Sequence, residues 1–278
     1  MTLVTSSPTH SLSLAALTVL ELRPHQMVET AARAGYTFVG LRLVPATEQE
    51  PHFPLHAGST EFRKTLNALR DSGLKALDIE ILRLKPDTRV NEFLPILEVG
   101  ALLGASEVLV AGNDDDEART TDNFAALCDL ALPFNLHPAL EFMPWTGVKN
   151  LSQAQSIVAA ANRPNAALLV DAFHLNRSGS RIEDIGKTPA TQIRYAQLCD
   201  IAGPIPGDMQ QIIREARTER CFPGEGDIDL GALISALPSA IPLSLEVPTE
   251  NLRVLGYTAL QRATLARQAA VKLLENAT

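Results

Sequence analysis

Residues 168–179 read LLVDAFHLNRSG. The apolar run that leads into them, 166-AALLV-170, is short and unbroken. Such a run reads as a strand buried on both faces, the kind found in parallel sheets covered by helices. It ends on a carboxylate, Asp171, with His174 three residues later. An aspartate in that place is a helix cap, a turn residue or a group aimed at something. One occurrence does not decide between these.

Working outward, strand-like and helix-like segments alternate along the whole chain. Strands are expected at residues 11–17, 36–43, 74–82, 106–112, 137–143, 166–170, 193–199 and 241–247. Helices are expected near 25–34, 59–72, 90–103, 122–132, 151–161, 182–185, 209–217, 230–237 and 257–275. Gly35 and Gly73 mark two helix ends. Strands that alternate with helices imply parallel pairing through right-handed crossovers. Eight β–α units within 278 residues fit an α/β architecture, a (β/α)8 TIM barrel in one domain over residues 1–278. The rival is a doubly wound open sheet, which often carries a glycine-rich first turn. Here 18-TVLELRP-24 contains no glycine.

In a TIM barrel the chemistry sits where the strands end. Arg42, Glu80, Asn113, Glu141, Asp171, Gln197 and Glu246 fall at or near ends of strands 2 to 8. Alternation pairs Ala139 with Glu141, Leu169 with Asp171 and Ser244 with Glu246 on one face, so the three carboxylates enter the barrel mouth together. Converging carboxylates repel unless something neutralises them. A divalent cation does so, and the oxygens of Glu141, Asp171, Gln197 and Glu246 suit Mn²⁺ or Mg²⁺ better than zinc. His174 is then placed to bind what the metal holds. Taken singly, each residue has a plainer reading as a cap, a surface carboxylate or a structural histidine. Arg42 and Glu80 are either a barrel-mouth ion pair or substrate contacts. His52 and His56 lie in the long loop 44–59, which reads as a lid with solvent-exposed histidines. Trp145 follows strand 5 and either walls a sugar-sized pocket or packs in the core.

The bulk numbers narrow the field. A chain that is 46% hydrophobic and 20% charged has material for a large core. Its formal charge of −8 and lack of a Lys/Arg cluster argue against nucleic acid as a partner. The cysteines Cys128, Cys199 and Cys221 have no knuckle spacing and suit a reducing cytoplasm. No run approaches the roughly 18 apolar residues of a membrane span, and the N-terminal stretch reads as a first strand, not a signal peptide. A small-molecule substrate is the expected partner.

The segments 140-LEFMPW-145, 169-LVDAFHLNR-177, 195-YAQLCD-200, 220-RCFPGEGDID-229 and 243-LSLEVP-248 resemble the xylose-isomerase-like TIM-barrel superfamily of sugar phosphate isomerases and epimerases, which also includes endonuclease IV. The likeness covers most of the second half of the chain. It implies a metal held by Glu141, Asp171, Gln197 and Glu246, with Gln197 standing where many relatives have histidine, and it admits Zn²⁺ or Co²⁺ as well. It implies substrate contacts from His174 and from Arg220, with Glu225 orienting the latter. The 223-PGEGDID-229 stretch also reads as plain turns with Asp227 or Asp229 capping a helix. Relatives of this kind are often dimers or tetramers, so the resemblance admits a homo-oligomer.

The implied activity is an isomerase or epimerase acting on a keto-sugar or related polyol through an enediolate. Glu141 and Glu246 would exchange protons on opposite faces. A dehydratase of an inosose or dehydroshikimate is the alternative, with His174 protonating the leaving hydroxyl, and a non-catalytic sugar-binding barrel is the third. Endonuclease chemistry needs a histidine-rich zinc site, which six histidines with few at strand ends do not supply. The lack of a glycine-rich phosphate cradle beyond 223-PGEG-226 favours a substrate without phosphate.

Overall fold

The computed structural model describes residues 10–276; residues 1–9 and 277–278, included in the single-domain reading, lie outside it. Eight parallel strands close into a barrel in sequence order. They are β1 (Leu12–Leu14), β2 (Phe38–Arg42), β3 (Lys75–Leu84), β4 (Glu107–Gly112), β5 (His137–Glu141), β6 (Ala167–Asp171), β7 (Ala196–Leu198) and β8 (Leu243–Leu245). The helices are α1 (Pro24–Ala34), α2 (Thr60–Ser72), α3 (Leu94–Leu102), α4 (Glu117–Ala131), α5 (Leu151–Ala161), α6 (Ala172–Arg177), α7 (Met209–Thr218), α8 (Leu230–Ala236), α9 (Glu250–Val254) and α10 (Ala259–Asn276). The barrel expected from the β–α rhythm is the barrel observed.

Two apolar clusters follow from strand alternation. Val108, Val110, Leu140, Leu168, Val170, Ala196 and Leu243 belong to the cluster shared with the helices. Leu109, Ala111, Ala139, Leu169 and Tyr195 belong to a separate cluster inside the barrel. Full burial of each Val or Leu in the outer layer contributes about 1.5–3 kcal/mol. The same alternation carries Glu141, Asp171, Gln197 and Glu246 to the inner face, each one or two steps beyond an interior residue.

Local signals set the helix starts. Ser59, Asp116, Asn150 and Asp229 each cap the following helix by accepting a backbone N–H. The Asp116 cap starts α4 at Glu117, five residues before the expected position. Strand 1 is shorter than the expected 11–17, because a 3-10 turn at Ala16–Val19 takes over. Thr18 holds that turn to β8, its hydroxyl donating to the Leu245 carbonyl at 2.8 Å and accepting the Val247 N–H at 2.8 Å. The segment near 182–185 is a 3-10 turn, while α6 and α9 were not expected.

The 223-PGEGDID-229 segment takes its turn reading. Buried Asp200 accepts the N–H groups of Gly224 at 3.0 Å and Ile228 at 3.1 Å, and Asp229 caps α8. Gly226 lies so close to Asp200 and the Ile201 carbonyl that a Cβ there would sit 2.4 and 2.6 Å from them. Gly226→Ala is therefore expected to lower stability by about 1–3 kcal/mol, since the contacts are mainly with backbone that cannot give way. Urea unfolding checks this, and an unchanged midpoint would refute the close-approach account.

Candidate active site

Side chains from six strand ends and two adjoining segments meet inside the barrel mouth. Cross-strand register places Arg42 beside Glu80, Ala111 beside Glu141, and Asp171 beside Gln197. Arg42, Glu80, Glu141, Asp171, His174, Gln197, Arg220 and Glu246 are all buried.

Asp171 combines two of the roles its position allows. One carboxylate oxygen accepts the His174 backbone N–H at 2.8 Å and so caps α6. The other accepts from Arg220 Nη1, also at 2.8 Å. Because α6 begins at once after β6, His174 stands one turn in, on the side facing the cavity. Its Nε2 is 3.8 Å from Glu141 Oε1 and 3.9 Å from Asp171 Oδ1. Trp145 and Phe173 meet the imidazole edge-on, with ring centroids at 5.1 and 5.4 Å. Burial pulls the His174 pKa down to about 4, so the ring is neutral at pH 7.

Arg220 is the cation of the site. Nη2 pairs with Glu246 Oε2 at 3.0 Å, Nε donates to the Ala216 carbonyl at 2.9 Å, and the guanidinium lies 4.9 Å from the Phe173 ring centroid. Burial works against this charge, but Asp171, Cys199 and Glu246 overcome it and hold the pKa above its usual value. Asp171, Glu246 and Ala216 orient the guanidinium, which corrects the expectation that Glu225 does so.

The remaining carboxyls differ in their partners. Burial pushes Glu246 up to about 7 even though Arg220 opposes it. Burial also raises Glu141 well above the carboxylate range, and Glu246 and Asp171 add to the effect. Glu141 Oε1, His174 Nδ1 and Gln197 Oε1 are buried with no hydrogen-bond partner among the described residues. Gln197 turns its amide N–H toward Glu246 Oε1 at 3.2 Å. Arg42 bridges Glu80 at 3.1 Å and Glu50 at 2.9 Å, which is the ion-pair reading, although Arg42 and Glu80 also line the cavity. Trp145 walls the same cavity, whereas His52 and His56 are exposed.

Whether these residues suit a metal can be judged from the donors. Glu141, Asp171 and His174 each offer a ligand atom, all within 4.8 Å of one another and all buried. The unpartnered Glu141 Oε1 fits the same requirement, since buried polar atoms need a partner. Two carboxylates and a neutral imidazole suit Zn²⁺ or Co²⁺ as well as Mn²⁺. This grouping contains His174, which sequence reasoning had made a substrate contact and proton donor and had left out of the metal set. Gln197 and Glu246 stand next to it, joined to each other.

The cavity over these groups measures about 60 Å³. A larger groove of about 830 Å³ lies outside the barrel between residues 219–225 and α10, and carries none of the strand-end carboxylates. The strand-end carboxyls Glu80, Glu141 and Glu246 line the smaller cavity. Arg83, Arg217 and Glu50 also line it and were missed. Arg83 was missed because strand 3 was ended at residue 82, while β3 runs to Leu84.

Residues 28–275 match the sequence family described as xylose isomerase-like TIM barrel. The chain belongs to that family. It is 30% identical over 158 residues to an inosose isomerase of Bacillus licheniformis, covering 53% of this chain and 55% of that protein. It is 28% identical over 160 residues to a 3-dehydroshikimate dehydratase of Pseudomonas aeruginosa, covering 54% of this chain and 25% of that protein. These alignments span about half or less of each relative. Among solved structures, the IOLI protein with a binding zinc atom superposes with a TM-score of 0.79 at 22% identity, over 96% of this chain and 99% of that one, a likeness of fold. No helix among the described residues is long and apolar enough to cross a membrane.

A cation binding here favours the ionised form of the neighbouring Glu246 and releases a proton wherever Glu246 still carries one. Burial pushes Glu246 up to about 7, so affinity for Mn²⁺ is expected to rise as pH climbs toward that value and to fall in acid. Calorimetry in buffers of different ionisation enthalpy should record proton release at pH 6. Pairing with Glu141→Ala should abolish both binding and release. Binding with no proton release and no pH dependence would contradict the protonation states derived above.

Proposed function

We propose that this protein is a divalent-metal-dependent isomerase or epimerase that moves a proton at a carbon next to the ketone of a polyol. The observation that carries this reading is the pair Glu141 and Glu246, two buried carboxyls on one small cavity whose pKa values are both raised. A general base works best when its pKa lies near the working pH. Glu246 meets that condition, with burial pushing it up to about 7 while Arg220 keeps part of the population ionised. Glu141, raised further by burial, is the protonated partner.

In this scheme Glu246 takes the proton from the carbon and becomes a carboxylic acid. Glu141 returns its own proton to the other face and becomes a carboxylate. Carbon configuration is inverted, the atoms balance, and solvent exchange restores the two protonation states. Return of the proton to the neighbouring carbon gives isomerisation instead. A divalent cation held by Asp171, His174 and one oxygen of Glu141, with the Glu141 proton on its other oxygen, would supply positive charge that acidifies the C–H bond and offsets the developing oxyanion. Arg220 fixes Glu246 and Asp171 in place, and Trp145 and Phe173 hold His174 upright.

The similarity to inosose isomerases supports this reading, and the similarity to 3-dehydroshikimate dehydratases supports a second one. In that second reading the same abstraction is followed by loss of a β-hydroxyl, which leaves with a proton as water. We place the protein in a reducing compartment, a reading supported by free thiols at Cys128, Cys199 and Cys221.

The test is proton NMR in D₂O with ketoses, inososes and 3-dehydroshikimate, with Mg²⁺ and separately with EDTA. Metal-dependent loss of one C–H signal is expected, and Glu246→Gln should slow it by about 10²–10⁴-fold. An alkene signal with loss of water would establish the dehydratase. No exchange on any of these substrates would overturn the proposal in favour of a ligand-binding barrel.

A further inference from the structure

Four guanidinium groups line the cavity: Arg42, Arg83, Arg217 and Arg220. Two are committed. Arg42 is neutralised by Glu50 and Glu80, and Arg220 by Asp171 and Glu246. The other two are not. Among the described residues the only side-chain partner of Arg83 is a neutral amide, Nη1 donating to Asn113 Oδ1 at 3.0 Å, and its Nε is buried with no partner. Arg217, exposed in the last turn of α7, makes no side-chain hydrogen bond or ion pair among the described residues.

We propose that Arg83 and Arg217 read an anionic group on the substrate, so that the molecule turned over is a keto-polyol carrying a carboxylate or a phosphate. This rests on the reading that the small cavity is the substrate site. A protein with a formal charge of −8 has many carboxylates available to pair with these arginines, yet none does. Burial opposes the Arg83 charge, as do Arg42 and Arg217; Glu50 and Glu141 favour it without forming an ion pair, and an incoming anion adds the direct partner that is missing. The helix C-terminus explains a cation at Arg217 but not the buried, unpartnered Nε of Arg83. A guanidinium fork suits a planar carboxylate or a phosphate, where it makes charge-assisted hydrogen bonds. A neutral cyclitol would leave both without a direct ion-pair partner.

Binding is measured without turnover, by calorimetry on the full chain with saturating Mg²⁺. Shikimate is compared with its methyl ester, and fructose 6-phosphate with fructose. The anionic member of at least one pair should bind about 10–100-fold tighter, the range that one charge-assisted contact supplies. The pair that shows the difference identifies the anion. Arg83→Gln and Arg217→Gln should each shrink that preference while leaving affinity for the neutral member unchanged. Arg217 is exposed, so its variant keeps the fold even if the Arg83 variant does not. Equal binding within both pairs, a preference that survives both variants, or no binding by any of the four would overturn the proposal. Failure of deuterium exchange would not, because these measurements need no catalysis.

Discussion

The barrel mouth depends on one buried cation. Asp171 and Glu246 are out of water, and isolated carboxylates cannot be buried without several kcal/mol of cost each. Arg220 answers both, at 2.8 and 3.0 Å. Its own place is fixed by the Ala216 carbonyl and by the face of Phe173. Phe173 belongs to α6, and α6 starts where Asp171 caps it. The interactions therefore close on themselves: the aspartate starts the helix, the helix supplies the ring, the ring supports the arginine, and the arginine neutralises the aspartate. His174 is carried to Glu141 by the same short helix.

Arginine partners are unevenly shared among the buried carboxyls. Glu80 has Arg42, and Asp171 has Arg220. Glu141 and Asp78 make no ion pair with an arginine, and burial raises the pKa of each well above the usual range. Asp78 lies deeper in the barrel, against Gly40, where a Cβ would come within 2.9 Å of the carboxyl. Glycine at that strand position is thus what makes room for an acid beneath the site. Ser13, Tyr195 and Ser244 are buried with unpartnered hydroxyls too. The layer of strand-end side chains thus rests on a mixed floor, these polar groups set among the interior apolar cluster.

Much of this was legible in the sequence because strand alternation has a period of two and admits little slippage. Once residues 137–143 and 166–170 are read as buried strands, Glu141 and Asp171 must point inward. Gln197 and Glu246 follow from the same parity, even though the hydrogen-bonded ladders of β7 and β8 are only three residues long. What alternation cannot give is the direction of a side chain beyond the last paired residue. His174 lies in a six-residue helix joined to its strand without a loop, too short to show periodicity. Arg83 sits past the expected end of strand 3, and Arg220 reaches its partners from a segment whose local pattern says only that a turn follows. Contacts between distant segments, such as Arg220 with Asp171, leave no mark in the spacing of either.

The protonation pattern also bears on the choice between epimerisation and elimination. Under the proposed reading, either reaction begins with the same abstraction and differs in where the next proton goes. His174 is a poor donor at neutral pH, since burial pulls its pKa down to about 4 and leaves little imidazolium to give. Its neutral ring is better suited to donate electron density than a proton. Glu141, held protonated by burial and by the neighbouring carboxylates, is the better donor to a carbon or to a departing hydroxyl. The protein therefore does not separate the two outcomes through the identity of its acid. The separation falls to where the substrate sits relative to that acid, and its position is set by the groups that grip its far end.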